Sequence, residues 1–166
     1  SIQHLQGILQ LLKDENLPGV FVHAFTDGRD TAPDSGKGFI AELEQTMAET
    51  GVGKVASGVG RYFAMDRDKR WPRVKKAYDL LVRGQGAPFA SAADAIADAY
   101  AKGETDEFIE PRVITQNGEA IAKIEEGDAI LFYNFRTDRG RQLTHVLTQK
   151  DMPEEGMNTL PLHYAT

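Results

Sequence analysis

The sequence predicts an α/β domain with a mixed, largely parallel central sheet flanked by helices. Segments with apolar residues at helical spacing alternate with short, apolar, β-prone runs, the pattern of strands joined by crossover helices. The dipeptide Asn117-Gly118 is the strongest hairpin signal in the chain and adds an antiparallel pair. The 166 residues, 41% of them hydrophobic, suffice for one core, so residues 1–166 read as a single domain.

In chain order, Ile2, Leu5, Ile8, Leu9, Leu11 and Leu12 form one apolar face of a helix over 2–15, which Pro18-Gly19 ends. Val20–Phe25 (VFVHAF) is β-prone and apolar, and reads as a strand buried on both faces. After the polar loop Thr26–Gly38, a helix fits Phe39–Glu49, with Phe39, Ile40, Leu43 and Met47 on one side. A second strand, Lys54–Ser57, ends at Gly58 and Gly60. Pro72 suits the first turn of a helix whose stripe is Val74, Ala77, Tyr78, Leu81 and Val82. Ser91 is the N-cap of a helix over Ala92–Lys102. Pro111–Thr115 is a weak strand and Ala120–Ile124 its return partner across Asn117-Gly118. Ala129–Asn134 (AILFYN) is the strongest strand signal, and Thr137 or Asp138 opens a helix through Leu147. Asp151–Thr159 is a loop, and the chain reads as though cut from something longer.

Composition narrows the function. A net charge of −6 argues against nucleic acid, so any anion site is a local concentration of arginine on an acidic body. With no cysteine there are neither disulfides nor thiolate metal sites, which fits a reducing compartment; a cytoplasmic protein with no membrane partner is the default expectation. The histidines His4, His23, His145 and His163 show no metal-ligand spacing, and His23, in mid-strand, reads as a satisfied core residue. Asp66-Arg67-Asp68 is too short for a calcium loop, and Trp71 reads as a core anchor.

The chemistry gathers after the strands. VFVHAF is followed by Asp27, Arg29 and Asp30, KVAS by Arg61 and Arg67 within GRYFAMDRDKRW, and AILFYN by Arg136 and Arg139. In open α/β sheets ligands bind beyond the carboxyl ends of the strands. If the three strands are parallel, five of the ten arginines crowd one rim. Guanidinium forks match carboxylate and phosphate oxygens two at a time, and like charges this close call for an anion. Taken alone, each stretch also fits a solvated charged loop. No activated serine, nucleophile elbow or phosphate-cradling P-loop is visible.

The segments HAFTDGRDT (23–31), GRYFAMDRDKRW (60–71), AYDLLVRGQG (77–86), AYAKGETDEF (99–108) and GDAILFYNFRTDRGRQLT (127–144) resemble the cofactor-independent phosphoglycerate mutase family. The resemblance covers the phosphotransferase domain that such enzymes carry inserted in a metal-dependent, phosphatase-like domain. It implies interconversion of 3-phosphoglycerate and 2-phosphoglycerate, in glycolysis and gluconeogenesis, through a serine of the other domain. Two metal ions, usually manganese, are expected in that other domain and no cofactor in this one. It also implies that Arg29, Asp30, Arg61, Arg67, Arg136 and Arg139 hold the substrate, the arginines clamping carboxylate and phosphate while Asp30 orients hydroxyls or moves a proton. The family's serine, metal ligands, one histidine and one lysine match nothing in this sequence, so these residues alone are expected to be inactive. The competing reading is a stand-alone binding module for a small organic anion.

Overall fold

The computed structural model describes residues 1–166. Its main sheet comprises β1 (Phe21–Thr26), β2 (Lys54–Gly60), β3 (Ala87–Phe89), β4 (Arg112–Gln116) and β5 (Glu119–Ala120). The order is β1-β2-β4-β3, with β5 against β4. β1 and β2 are parallel, as are β3 and β4; the two pairs meet antiparallel through β2 and β4. Parallel pairings therefore hold most of the paired positions in a mixed sheet, in agreement with the fold class read from the sequence.

One face is covered by α1 (Ile2–Asp14), α2 (Gly36–Thr50) and α5 (Ala92–Ala101). Leu5, Leu9, Ile40, Leu43, Met47, Ala95 and Ile96 pack there against Val55 and Ile114. The other face carries the short α3 (Arg61–Ala64) and α4 (Trp71–Arg83), with Phe63, Ala77 and Leu80 against Val59 and Val113. Consecutive residues Val113 and Ile114 thus serve opposite cores, as the period of a strand requires. Val55 and Val59 break that parity, because β2 holds one extra residue. Val22 pairs with Val55 but His23 with Ser57, leaving Ala56 as a bulge. The bulge turns Gly60 toward Ile109, whose carbonyl accepts the Gly60 N–H at 2.8 Å.

A third cluster joins α4 to α6 (Thr137–Thr148) through Val74, Tyr78, Leu81, Leu143, Val146 and Leu147. It is flanked by β6 (Ala129–Leu131) and β7 (His163–Ala165), a separate parallel pair. No helix is long and apolar enough to cross a membrane.

Several sequence expectations change. β1 is not buried on both faces: it lies at the sheet edge, with Phe21 39% exposed. The second strand does not stop at Gly58, since that residue pairs with Ala24 on one side and Arg112 on the other. α2 begins three residues before Phe39, because the Asp106 carboxylate accepts the N–H of Gly36 at 2.6 Å and anchors the first turn. The hairpin forms, with φ of 55° at Asn117 and 83° at Gly118, but its return strand is only Glu119–Ala120. The chain then turns away and buries Ile124 beside α4. AILFYN is not a strand of the main sheet. Only Ala129–Leu131 is extended, and Leu131 and Tyr133 are exposed, so this run covers a flank. β3, with Pro88 at its centre, and β7 carry no clear sequence signal.

Candidate functional site

β1 and β2 run parallel, so the loops after Thr26 and Gly60 leave the same edge of the sheet. β4 runs the other way and starts at that edge, which brings the 3-10 turn Asp106–Phe108 beneath both loops. β6 lies outside the sheet, yet packing of α6 on α4 delivers the N-terminus of α6 to the same place. Convergence of the three arginine segments thus rests on a helix contact as well as on parallel strands.

The centre is Arg61, 6% exposed. Its Nη1 donates to Asp27 Oδ1 and, at 2.9 Å, to Asp30 Oδ2. Asp27 Oδ1 also accepts the backbone N–H groups of Arg29 and Asp30, at 3.3 and 3.2 Å, so one carboxylate sets both the loop and the guanidinium. The hydrogen bond from Arg61, with its charge and those of Arg136 and Arg29, holds the Asp30 carboxyl below the usual carboxylate range. The Nε–H of Arg61 is buried without a partner.

The other arginines surround this pair. Arg29 is exposed and reaches Glu107 at 3.5 Å; Arg67 is exposed and reaches Asp138 at 3.2 Å. Arg136 stands exposed at the N-cap of α6, beside Phe135, which is 94% exposed. Arg139 is half-buried, and its side chain donates only to the carbonyl of Met65, at 3.3 Å. Neither Arg136 nor Arg139 is paired with a carboxylate. Burial lowers the Arg139 pKa, and the neighbouring charges of Arg61, Arg67 and Arg29 lower it further against the opposing pull of Asp138. Arg139 is thus a cation repelled by three others and hydrogen-bonded to no carboxylate, an arrangement whose electrostatics suit an anion.

The structure therefore brings Arg29, Asp30, Arg61, Arg67, Arg136 and Arg139 to one edge. The sequence does not show that Asp27, Glu107 and Asp138 are the acids that hold these arginines. They are ordinary loop and helix residues until the fold sets them opposite guanidinium groups. In the sequence Asp66 stands within the charged run Asp66-Arg67-Asp68, too short for a calcium loop. It is buried, and accepts from the N–H groups of Asp68 and Arg70 at 3.0 Å each ahead of α4. Tyr62 and Phe63 also support the loop from below, Tyr62 under Arg73 at 3.7 Å and Phe63 in the core. Trp71 is half-buried, stacked on His145 at 6.4 Å. The Nδ1 of His23 lies 2.7 Å from Ser57 Oγ, and burial takes its pKa down to about 4.

These residues do not fit a metal. The rim carboxylates are engaged by arginines, and no group of three or more histidine, aspartate or glutamate side chains converges.

The chain is 55% identical over 161 residues to the 2,3-bisphosphoglycerate-independent phosphoglycerate mutase of Parabacteroides distasonis, covering 97% of this chain and 32% of that protein. It is 53% identical over 161 residues to the enzyme of the same name from Bacteroides fragilis, with 97% and 31% covered. A crystal structure of Leishmania mexicana phosphoglycerate mutase at low cobalt concentration matches with a TM-score of 0.90 and 29% identity, over 98% of this chain and 31% of that one. The chain spans about a third of the length of each of these relatives. Residues 1–166 match throughout the family model described as the BPG-independent phosphoglycerate mutase N-terminus, and the chain belongs to that family.

Proposed function

We propose that this chain is the substrate-holding domain of an enzyme that interconverts 3-phosphoglycerate and 2-phosphoglycerate, inserted in a second, phosphatase-like domain. The carrying observation is the pair Arg136 and Arg139, without carboxylates, beside Arg29, Arg61 and Arg67. A phosphoglycerate has a carboxylate and a phosphate a few ångströms apart, and paired guanidinium forks on either side suit a ligand with two anionic ends. Arg61 is the fixed point. Arg29 and Arg67 exchange their acidic partners for ligand oxygens, and Arg136 and Arg139 supply charge that no salt bridge engages. The N-terminus of α6, which has no side-chain cap, adds its positive end to the same place.

Asp30 is held ionised by Arg61 and is a weak base in that state. Its role is then to accept hydrogen bonds from the glycerate hydroxyls and orient them. The phosphoryl group is passed by a serine of the second domain, whose two divalent metal ions, manganese by family resemblance, supply charge stabilisation for the transfer. No step runs through a metal on this chain. Closure of that domain over the rim excludes water and strengthens each ion contact.

The test is an assay of the full-length protein for 2-phosphoglycerate formed from 3-phosphoglycerate. Turnover is expected, with severe loss in Arg136→Ala and none detectable from residues 1–166 alone, manganese present or not. A full-length protein inactive on both phosphoglycerates, or near-normal turnover in Arg136→Ala, contradicts the reading.

A further inference from the structure

We infer that Asp106, which lies below the rim, is a positioning residue that fixes the two strand-end arginines, Arg29 and Arg61. The inference deepens the reading of the arginine rim as an anion site and rests on it.

Asp106 is 1% exposed. A buried carboxylate needs compensation, and no cation touches this one. Its Oδ2 accepts the N–H of Gly36 at 2.6 Å, at the positive end of α2, and lies 3.5 Å from Ser35 Oγ. Its Oδ1 accepts the hydroxyl of Tyr100 at 2.6 Å. That hydroxyl accepts in turn from Lys37 N at 3.2 Å, and burial, with the bond to Asp106, pushes its pKa up to about 12, so it stays a donor. The backbone of Asp106 is tied as well: its N–H donates to Pro33 O at 2.8 Å, and its carbonyl accepts from Thr26 Oγ1 at 2.6 Å. One residue thus joins the end of β1, the loop carrying Arg29 and Asp30, the start of α2, and α5.

Three glycines show how closely this turn is applied to the rim. A β-carbon at Gly28 would stand 2.5 Å from Glu107 N and 2.7 Å from Asp106 Cβ. One at Gly60 would stand 2.7 Å from both Glu107 C and Ile109 N, and one at Gly36 2.6 Å from Asp106 Oδ1. Gly28 immediately precedes Arg29, and Gly60 immediately precedes Arg61. Backbone lies on backbone here without a side chain to absorb a shift, so displacement of the 106–109 turn passes directly to both arginines. Glu107, the next residue, is the partner of Arg29. Since a misplacement of about 1 Å at a reacting constellation costs up to about a hundredfold in rate, even small shifts at Asp106 are expected to register at the ligand.

The experiment compares Asp106→Ala, Tyr100→Phe and, as control, Tyr78→Phe in residues 1–166, each shown to be folded by near-ultraviolet circular dichroism. Tyr78→Phe also removes a hydroxyl that bonds backbone, to Asn158 O at 2.6 Å, but in the α4–α6 cluster. Two readouts are taken: the arginine Nε–H cross-peaks and the amides of Arg29, Asp30 and Arg61 without ligand, then the dissociation constant for 3-phosphoglycerate. Asp106→Ala is expected to shift the Arg61 Nε–H and Arg29 peaks and to weaken binding about tenfold, and Tyr100→Phe to do both to a smaller degree. Tyr78→Phe leaves them in place. The positioning role is overturned if the Arg29 and Arg61 peaks of Tyr100→Phe move no more than those of Tyr78→Phe. If Asp106→Ala does not fold, Tyr100→Phe decides, since it keeps the carboxylate. If the unaltered chain binds no 3-phosphoglycerate, the substrate reading fails, and the ligand-free peaks still decide the positioning role.

Discussion

Replacing Arg61 by alanine separates what this residue does for the fold from what it does for a ligand. In the fold it holds Asp27 and Asp30. Asp30 is open and returns to water. Asp27 is about one-third exposed, so its partnership contributes about 1 kcal/mol, and the buried stem of Arg61 about as much again. A total of about 2 kcal/mol lowers Tm by about 4–8 °C for a domain of this size. For a bound phosphoglycerate the same change removes a charge-assisted contact worth about 1.5–3 kcal/mol, a loss of roughly ten- to a hundredfold. Thermal denaturation gives the first quantity. Turnover of the full-length protein with saturating and limiting 3-phosphoglycerate gives the second. A variant that stays folded at 25 °C with near-normal kcat/KM refutes the assignment of Arg61 to the ligand. A collapse of Tm by some 20 °C would show that the ion pairs are chiefly structural.

Three further outcomes are expected. His23 has a folded pKa near 4, below its ordinary 6.5, so the unfolded chain binds the extra proton between those values. Stability is full above pH 6.5 and falls toward pH 4, by at most about 1.4 kcal/mol per pH unit, and His23→Gln should flatten that slope in denaturant titrations. Trp71→Ala should cost about 2 kcal/mol, below the 3–5 kcal/mol of a fully buried tryptophan, because the ring is half-exposed beside His145; urea unfolding measures it, and a loss above 4 would show a tighter site. Anion binding at the rim should weaken as sodium chloride rises from 20 to 200 mM, since Arg29, Arg67 and Arg136 are solvent-exposed, and salt-independent binding would locate the ligand elsewhere.

Much of this was legible in the sequence because it depends on period and punctuation. The apolar stripes of α1 and α4, the Ser91 cap and the Asn117-Gly118 turn are local signals, and each has its counterpart in the structure, although Leu11 of the α1 face is 58% exposed. The Ser91 hydroxyl accepts the N–H of Asp94 at 3.1 Å. What was illegible depends on distant partners. AILFYN is apolar throughout, and a short apolar run does not say whether it is central or on a flank; β7, some thirty residues later, decides it. Gly60 reads as a stop signal but is a point of close approach to Glu107 and Ile109, which only the fold brings there. The arginines were found because guanidinium clusters are rare enough to notice. That Asp27, Glu107 and Asp138 are their carboxylate partners, and that Asp106 is buried, was not legible, because an acid in a loop or a first helical turn carries no pattern that names its distant partner.

The central claim is that the rim formed by these three segments recognises a phosphoglycerate. Titration of residues 1–166 with 3-phosphoglycerate at low ionic strength, followed by amide chemical shifts, tests it most directly. Weak binding in the millimolar range is expected, because the proposed second domain would contribute nothing here, with shifts clustered at residues 27–31, 60–68 and 134–140. No shifts up to tens of millimolar ligand, or shifts confined to another face, would contradict the account.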